Sequence, residues 1–128
     1  MKLQPDRFDT LAIHAYGPGW VAVNGQKWHH SLVVSAQGRL ETWRPSHFEA
    51  LQADDFANLL GDQPPELVLF GSGERLRFPP PALLRPLIDA RVGIETMDTM
   101  AACRTFNILA GEGRRVLAAL LLGPAPAP

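Results

Sequence analysis

The sequence predicts an α/β fold: a three-layer single domain with a mixed β-sheet, an N-terminal antiparallel meander and C-terminal β-α-β-α-β crossovers. Three observations carry that reading. Leu11, Ile13 and Ala15 alternate with Ala12, His14 and Tyr16, and Asn24-Gly25 follows as a hairpin signal tolerant of positive φ. Leu67-Val68-Leu69-Phe70 and the stretch from Val92 to Met97 do not alternate, the pattern of strands buried on both faces. Strand, helix, strand, helix, strand then fills the second half, which implies right-handed crossovers and at least two parallel strands.

Taken in order, the residues through Pro5 and Asp9 are expected to be loosely ordered. The first strand ends at Gly17-Pro18-Gly19, and Trp20 to Val23 leads to the Asn24-Gly25 turn. The returning strand is predicted over Gln26 to Ser35, and Ala36-Gln37-Gly38 turns the chain into Arg39 to Trp43. Pro45 ends the meander. Ser46 to Leu51 is read as a single turn, and Asp54 as the cap of a short helix that Gly61 and Pro64-Pro65 stop after Leu60. After Leu67 to Phe70, Pro79-Pro80-Pro81 opens a helix over Ala82 to Ala90, with Leu83, Leu84, Leu87 and Ile88 inward and Pro86 marking a kink or restart. Val92 to Met97 is the next strand, and Val116 to Leu122 closes the sheet after a turn at Gly111-Glu112-Gly113. Residues 1–122 are expected to form the domain and 123–128 a disordered Pro/Ala tail.

The 128 residues carry a formal net charge of -1, with 46% hydrophobic and 20% charged residues, values of an ordinary soluble domain. That balance argues against nucleic-acid binding, which needs clustered Lys and Arg, and gives no attraction to an anionic membrane. The single cysteine forms no internal disulfide, Met1 to Thr10 lacks an apolar segment, and Val116 to Leu122 is too short for membrane insertion. The expected location is cytoplasmic.

Most of the polar chemistry gathers where the Val92 to Met97 strand meets the next helix. Asp98 is placed to accept from the N–H of Met100 or Ala101 as an N-cap. Ala102, Cys103, Phe106, Leu109 and Ala110 form one apolar stripe on the helix that follows. Gly71-Ser72-Gly73, and above all the block from Asp98-Thr99 through Ala101-Ala102-Cys103-Arg104-Thr105-Phe106-Asn107 to Glu112-Gly113-Arg114, resemble a small family of uncharacterised domains. That family contains the mitochondrial respiratory complex I assembly factor 3 and an adipogenesis-associated human protein. The resemblance runs from about Tyr16 to Leu122. It implies a compact three-layer α/β fold with a mixed sheet, and an assembly role among organellar members, with no established catalytic residues. Phe106 stands where the family leads one to expect a tyrosine.

Five constellations compete for a function. A ligand crevice is expected between Gly71, Ser72, Gly73 and the Asp98-Thr99 helix start, at the carboxyl ends of two strands, with Arg75 or Arg77 adding charge. Asp98 opposes an anion there, and the loop is short for a phosphate cradle. Cys103 lies on the apolar stripe, where a thiol stays protonated, so no catalytic residue is assigned. His29 and His30, on one strand, point to opposite faces, and His14 and His47 lie apart in sequence, so no metal site is expected. Met100, Arg104, Asn107 and Ile108 form the outer helix face, either an interaction surface or a face covered by another layer of the same chain. Arg104, Glu112, Arg114 and Arg115 form an exposed salt-bridge cluster at the helix end or, as the resemblance favours, Glu112 and Arg114 are buried against Asp98 or Thr99. The leading reading is a non-enzymatic protein-interaction module, an assembly or scaffolding factor with a protein partner and no cofactor. The competing reading is a small-molecule-binding protein or enzyme using the crevice.

Overall fold

A computed structural model describes residues 11–123. The expected loose start through Asp9 and the Pro/Ala residues 124–128 lie outside the described residues. Five strands build the central sheet: β4 (Leu32–Ser35), β5 (Leu40–Thr42), β6 (Leu67–Gly71), β7 (Gly93–Met97) and β8 (Val116–Leu120). Their order is β5-β4-β8-β6-β7. Leu67 to Gly71 pairs in parallel with Gly93 to Met97 on one side and with Val116 to Leu120 on the other. The two unalternating runs are therefore parallel neighbours, as their sequences predict. β4 runs antiparallel to β8.

Both faces of the sheet are covered at β6 and β8, which explains the missing alternation there. β7, expected to be buried on both faces, is instead an edge strand in which no residue from Gly93 to Met97 is fully buried and Glu95 is exposed. Over one face lie α3 (Thr99–Gly111) and a second sheet of β1 (Ile13–Gly17), β2 (Trp20–Val23) and β3 (Gln26–Trp28). Over the other lie α1 (Ala53–Ala57) and α2 (Arg85–Asp89), around Trp43, Phe56 and Phe70, whose rings meet edge to face at 5.6–6.0 Å. The order of strands explains the layers. The path from β6 to β7 steps outward, and the path from β7 to β8 steps back past β6. Crossovers of one hand then place α2 and α3 on opposite faces.

Four other expectations need correction. The N-terminal meander does not continue in one sheet: Gln26 to Ser35 splits into β3 and β4, which belong to different sheets. The break falls at Ser31, whose carbonyl accepts from Trp43 N–H at 2.8 Å and whose hydroxyl accepts from Leu122 N–H at 3.1 Å. His29 and His30 sit in that break and not on a strand. α1 starts after Gln52, with the Asp55 carboxylate returning to Gln52 N–H at 2.8 Å, so Asp54 is inside the first turn and not the cap. The Ala82 to Ala90 segment is a 3₁₀ turn at Pro81–Leu84 followed by α2, so Pro86 marks a restart, and Ile88 faces outward at 52% exposure.

Besides the packing of Ile13, Val21 and Val23 in the shared core, one side chain bonds the second sheet's first strand to α3. Asn107 on α3 accepts from Ile13 N–H at 2.9 Å and donates to Ile13 C=O at 2.6 Å, doing for β1 what a neighbouring strand would do. Asn107→Ala should lower unfolding free energy by about 1–3 kcal/mol, because it leaves both backbone groups of Ile13 unpaired. Urea titration followed by tryptophan fluorescence measures this, and Asn107→Asp, which keeps the acceptor but sets a carboxylate oxygen against Ile13 C=O, should also destabilise.

Candidate functional site

The predicted loop and helix start do come together, and they meet in direct contact. Thr99 Oγ1 accepts from Gly73 N–H at 2.9 Å and donates to Leu121 C=O at 3.0 Å, and Thr99 N–H donates to Gly73 C=O at 2.9 Å. Gly71 allows this approach: a Cβ there would stand 3.0 Å from both the Cα and the hydroxyl of Thr99. Ser72 is buried; its hydroxyl donates to Arg75 C=O at 2.6 Å, has Met97 C=O at 3.2 Å, and accepts from Arg77 N–H at 3.1 Å. Asp98 is the N-cap, accepting from Ala101 N–H at 2.9 Å. Gly73 and Thr99 thus bond each other, and the other named groups of Gly71, Ser72, Asp98 and Thr99 bond neighbouring parts of the chain.

Small cavities remain on either side of the seam. One of about 290 Å³ lies between Gly17-Pro18-Gly19 and the Thr99-Met100 turn. The other, about 150 Å³, lies between the Ser46 to Glu49 turn and the Ser72 to Arg77 loop. The loop beside it is fixed by Arg77, whose guanidinium lies 4.0 Å over the Phe48 ring and pairs with Glu49 at 2.9 Å. The Glu49 carboxyl is held below its ordinary value by its own backbone N–H and then by Arg77. Held in this way, Arg77 leaves its neighbours Leu76 and Phe78 exposed, at 52% and 69%.

On α3, Ala102, Cys103, Phe106 and Ala110 are buried, with Leu109 packed partly against them. Burial pushes the Cys103 thiol up to about 12. Opposite them, Arg104 and Ile108 are exposed, and Met100 is half-buried. Arg104 reaches the Tyr16 hydroxyl only at 3.5 Å, and Asn107 is engaged with β1, so the N-terminal sheet covers part of this outer face. The buried cluster at the far end of α3 does not form. Arg114 pairs with Glu66 at 3.1 Å in an exposed position, and Arg115 donates to Pro64 C=O. A 13-residue helix spans about 20 Å, which separates these groups from Asp98 and Thr99. Among the described residues, no group of three or more His, Cys, Asp or Glu could hold a metal ion, and no helix is long and apolar enough to cross a membrane.

One polar pair was not visible in the residue spacing. Arg44 donates through Nε and Nη2 to the two oxygens of buried Asp55, both at 2.7 Å, locking α1 to the end of β5. The Gln52-to-Asp55 spacing of a capping box points to the helix start and carries no signal for Arg44, eleven residues before Asp55.

The model of a family described as "Protein of unknown function (DUF498/DUF598)" matches residues 13–121. The solution structure of a Bordetella pertussis protein described as a Mth938-like domain is 33% identical at a TM-score of 0.79, covering 98% of this chain and 95% of that one. A Bos taurus protein named NADH dehydrogenase (ubiquinone) 1 alpha subcomplex assembly factor 3 is 29% identical over 116 residues, 90% of this chain and 62% of that protein. A Francisella tularensis protein named "13 kDa major membrane protein" is 26% identical over 126 residues, 91% of this chain and 95% of that one.

Two stability experiments follow from the junction. Thr99→Val should cost about 1–3 kcal/mol by orphaning Gly73 N–H and Leu121 C=O, and Asp98→Ala about 1 kcal/mol, with Asp98→Asn near neutral; thermal unfolding compares them. The raised thiol value sets a pH dependence. Above an ordinary value near 9 the unfolded chain loses the Cys103 proton and the folded chain keeps it until about 12, so stability falls with rising pH in that window. The slope contributed is at most about 1.4 kcal/mol per pH unit, and Cys103→Ala should remove it.

Proposed function

We propose that this chain, which belongs to the family of proteins of unknown function designated DUF498/DUF598, is a non-enzymatic protein-interaction module of the assembly-factor kind, working in the cytoplasm. The observation that carries this reading is the engagement of the crevice's polar groups by internal bonds, with Thr99 bonded to both Gly73 and Leu121, Ser72 to Arg75 and Arg77, and Asp98 to Ala101. A substrate-binding crevice needs donors and acceptors left for the substrate. Cys103, with its thiol raised to about 12 by burial, offers no thiolate nucleophile near neutral pH. Leu76 and Phe78 supply what a partner needs, large apolar groups exposed on a loop that Ser72 and Arg77 hold in place. A rigid loop loses little freedom on binding, so the contact is preorganised.

The assembly-factor relatives give the direction of the search, a protein partner within or on the way to a respiratory NADH dehydrogenase. Chemical crosslinking of the tagged chain in its respiring host, followed by mass spectrometry, should recover NADH dehydrogenase subunits. The double variant Leu76→Asp and Phe78→Asp should lose them while keeping its melting temperature. Recovery of no such subunit, or equal recovery by the folded variant, would defeat the proposal.

A further inference from the structure

Each sheet edge in this fold is a row of backbone groups open to another chain unless something closes it. β3 and β5 are short, three residues each. The β1 edge is occupied where Asn107 bonds both backbone groups of Ile13. β7 differs from all of these. It is the outermost strand of the central sheet, five residues long, without proline, and in unbroken register with β6.

The register shows which groups are open. Gly93 N–H donates to Glu66 C=O at 3.3 Å and Met97 C=O accepts from Ser72 N–H at 2.8 Å, so these residues direct their backbone groups to β6. Backbone direction alternates along a strand, so Glu95 also faces β6, and Ile94 and Thr96 direct N–H and C=O outward. Between them stands the Glu95 side chain, exposed and, among the described residues, without an ion-pair partner.

We propose that the outer edge of β7 receives an extended segment of a partner protein, paired through Ile94 and Thr96 and carrying Lys or Arg opposite Glu95. Cβ atoms directly across an antiparallel pair lie about 4.5–5.5 Å apart, so the residue facing Glu95 is chosen by charge. A second copy of this chain is a poor occupant, because a two-fold pairing centred on Glu95 brings two carboxylates together. Four backbone bonds supply attraction without regard to sequence, and the carboxylate supplies selectivity. The assignment rests on the interaction-module reading and names the mode of contact.

The test uses the purified full chain and a phage-displayed library of random eight-residue peptides. Selected peptides should be enriched in alternating apolar residues with a central Lys or Arg, and their binding should slow hydrogen exchange at Ile94 and Thr96. Thr96→Pro removes an outward donor while leaving the bonds to β6, a position where an edge strand accepts proline. It should weaken peptide binding at least tenfold. Glu95→Lys, which leaves the backbone unchanged, should shift selection to Asp or Glu at the same position. No enrichment, equal binding to a folded Thr96→Pro variant, or selected peptides indifferent to Glu95→Lys would overturn the edge assignment. So would a concentration-dependent dimer in sedimentation that Thr96→Pro abolishes, since the occupant would then be a second copy. Because the crosslinking experiment in the host reads Leu76 and Phe78, failure at β7 is distinguishable from failure of the interaction reading.

Discussion

The Thr99 hydroxyl is the contact on which the rest of the central layer depends. It joins three parts of the chain: the loop leaving β6, the first turn of α3 and the residue following β8. Each is the exit of a parallel strand or the start of the helix that covers it, so one buried group fixes where three elements end. A methyl at Gly71 would crowd it at 3.0 Å, and Leu121 N–H returns the tie by donating to Gly71 C=O at 3.0 Å. Buried hydroxyls are tolerated only when satisfied, and this one is satisfied as donor and as acceptor. This chain therefore has, at the usual ligand end of an open α/β sheet, a seam of internal bonds.

Much of that architecture could be read from residue order. β6 and β8 are apolar without alternation because both their faces are covered, and that pattern survives in the sequence whatever packs on it. The α3 stripe was legible for the same reason: Ala102, Cys103, Phe106 and Ala110 recur at helical spacing and all are buried. The division of Gln26 to Ser35 was not. No Gly or Pro marks it; the break depends on Ser31 meeting Trp43 and Leu122, residues remote in the sequence. The cap of α1 was obscured because Asp54 and Asp55 are adjacent, and only the geometry shows which carboxylate returns to Gln52.

The candidate site divides in the same way. Neighbouring parallel strands necessarily bring the Gly71-to-Gly73 loop beside Asp98-Thr99, so the juxtaposition follows from the two apolar runs. Whether the gap between them is open depends on Leu121, which arrives from a third strand 22 residues after Thr99. Local spacing carries no information about that acceptor. Asn107 is similar: its place on the outer face of α3 was apparent, but its bonds reach 94 residues back to Ile13.

The place of β8 between β4 and β6 also governs the timing of synthesis. At roughly 5–20 residues each second, several seconds separate the appearance of β4 from that of the strand it must pair with. Throughout that interval Leu32, Val33 and Val34, all buried in the finished molecule, have no central sheet to enter. Until β8 is made, β4 can pair only with β5, and the edge that will receive β8 stays open, so the central pairing is one of long sequence separation that pays its loop-closure cost late.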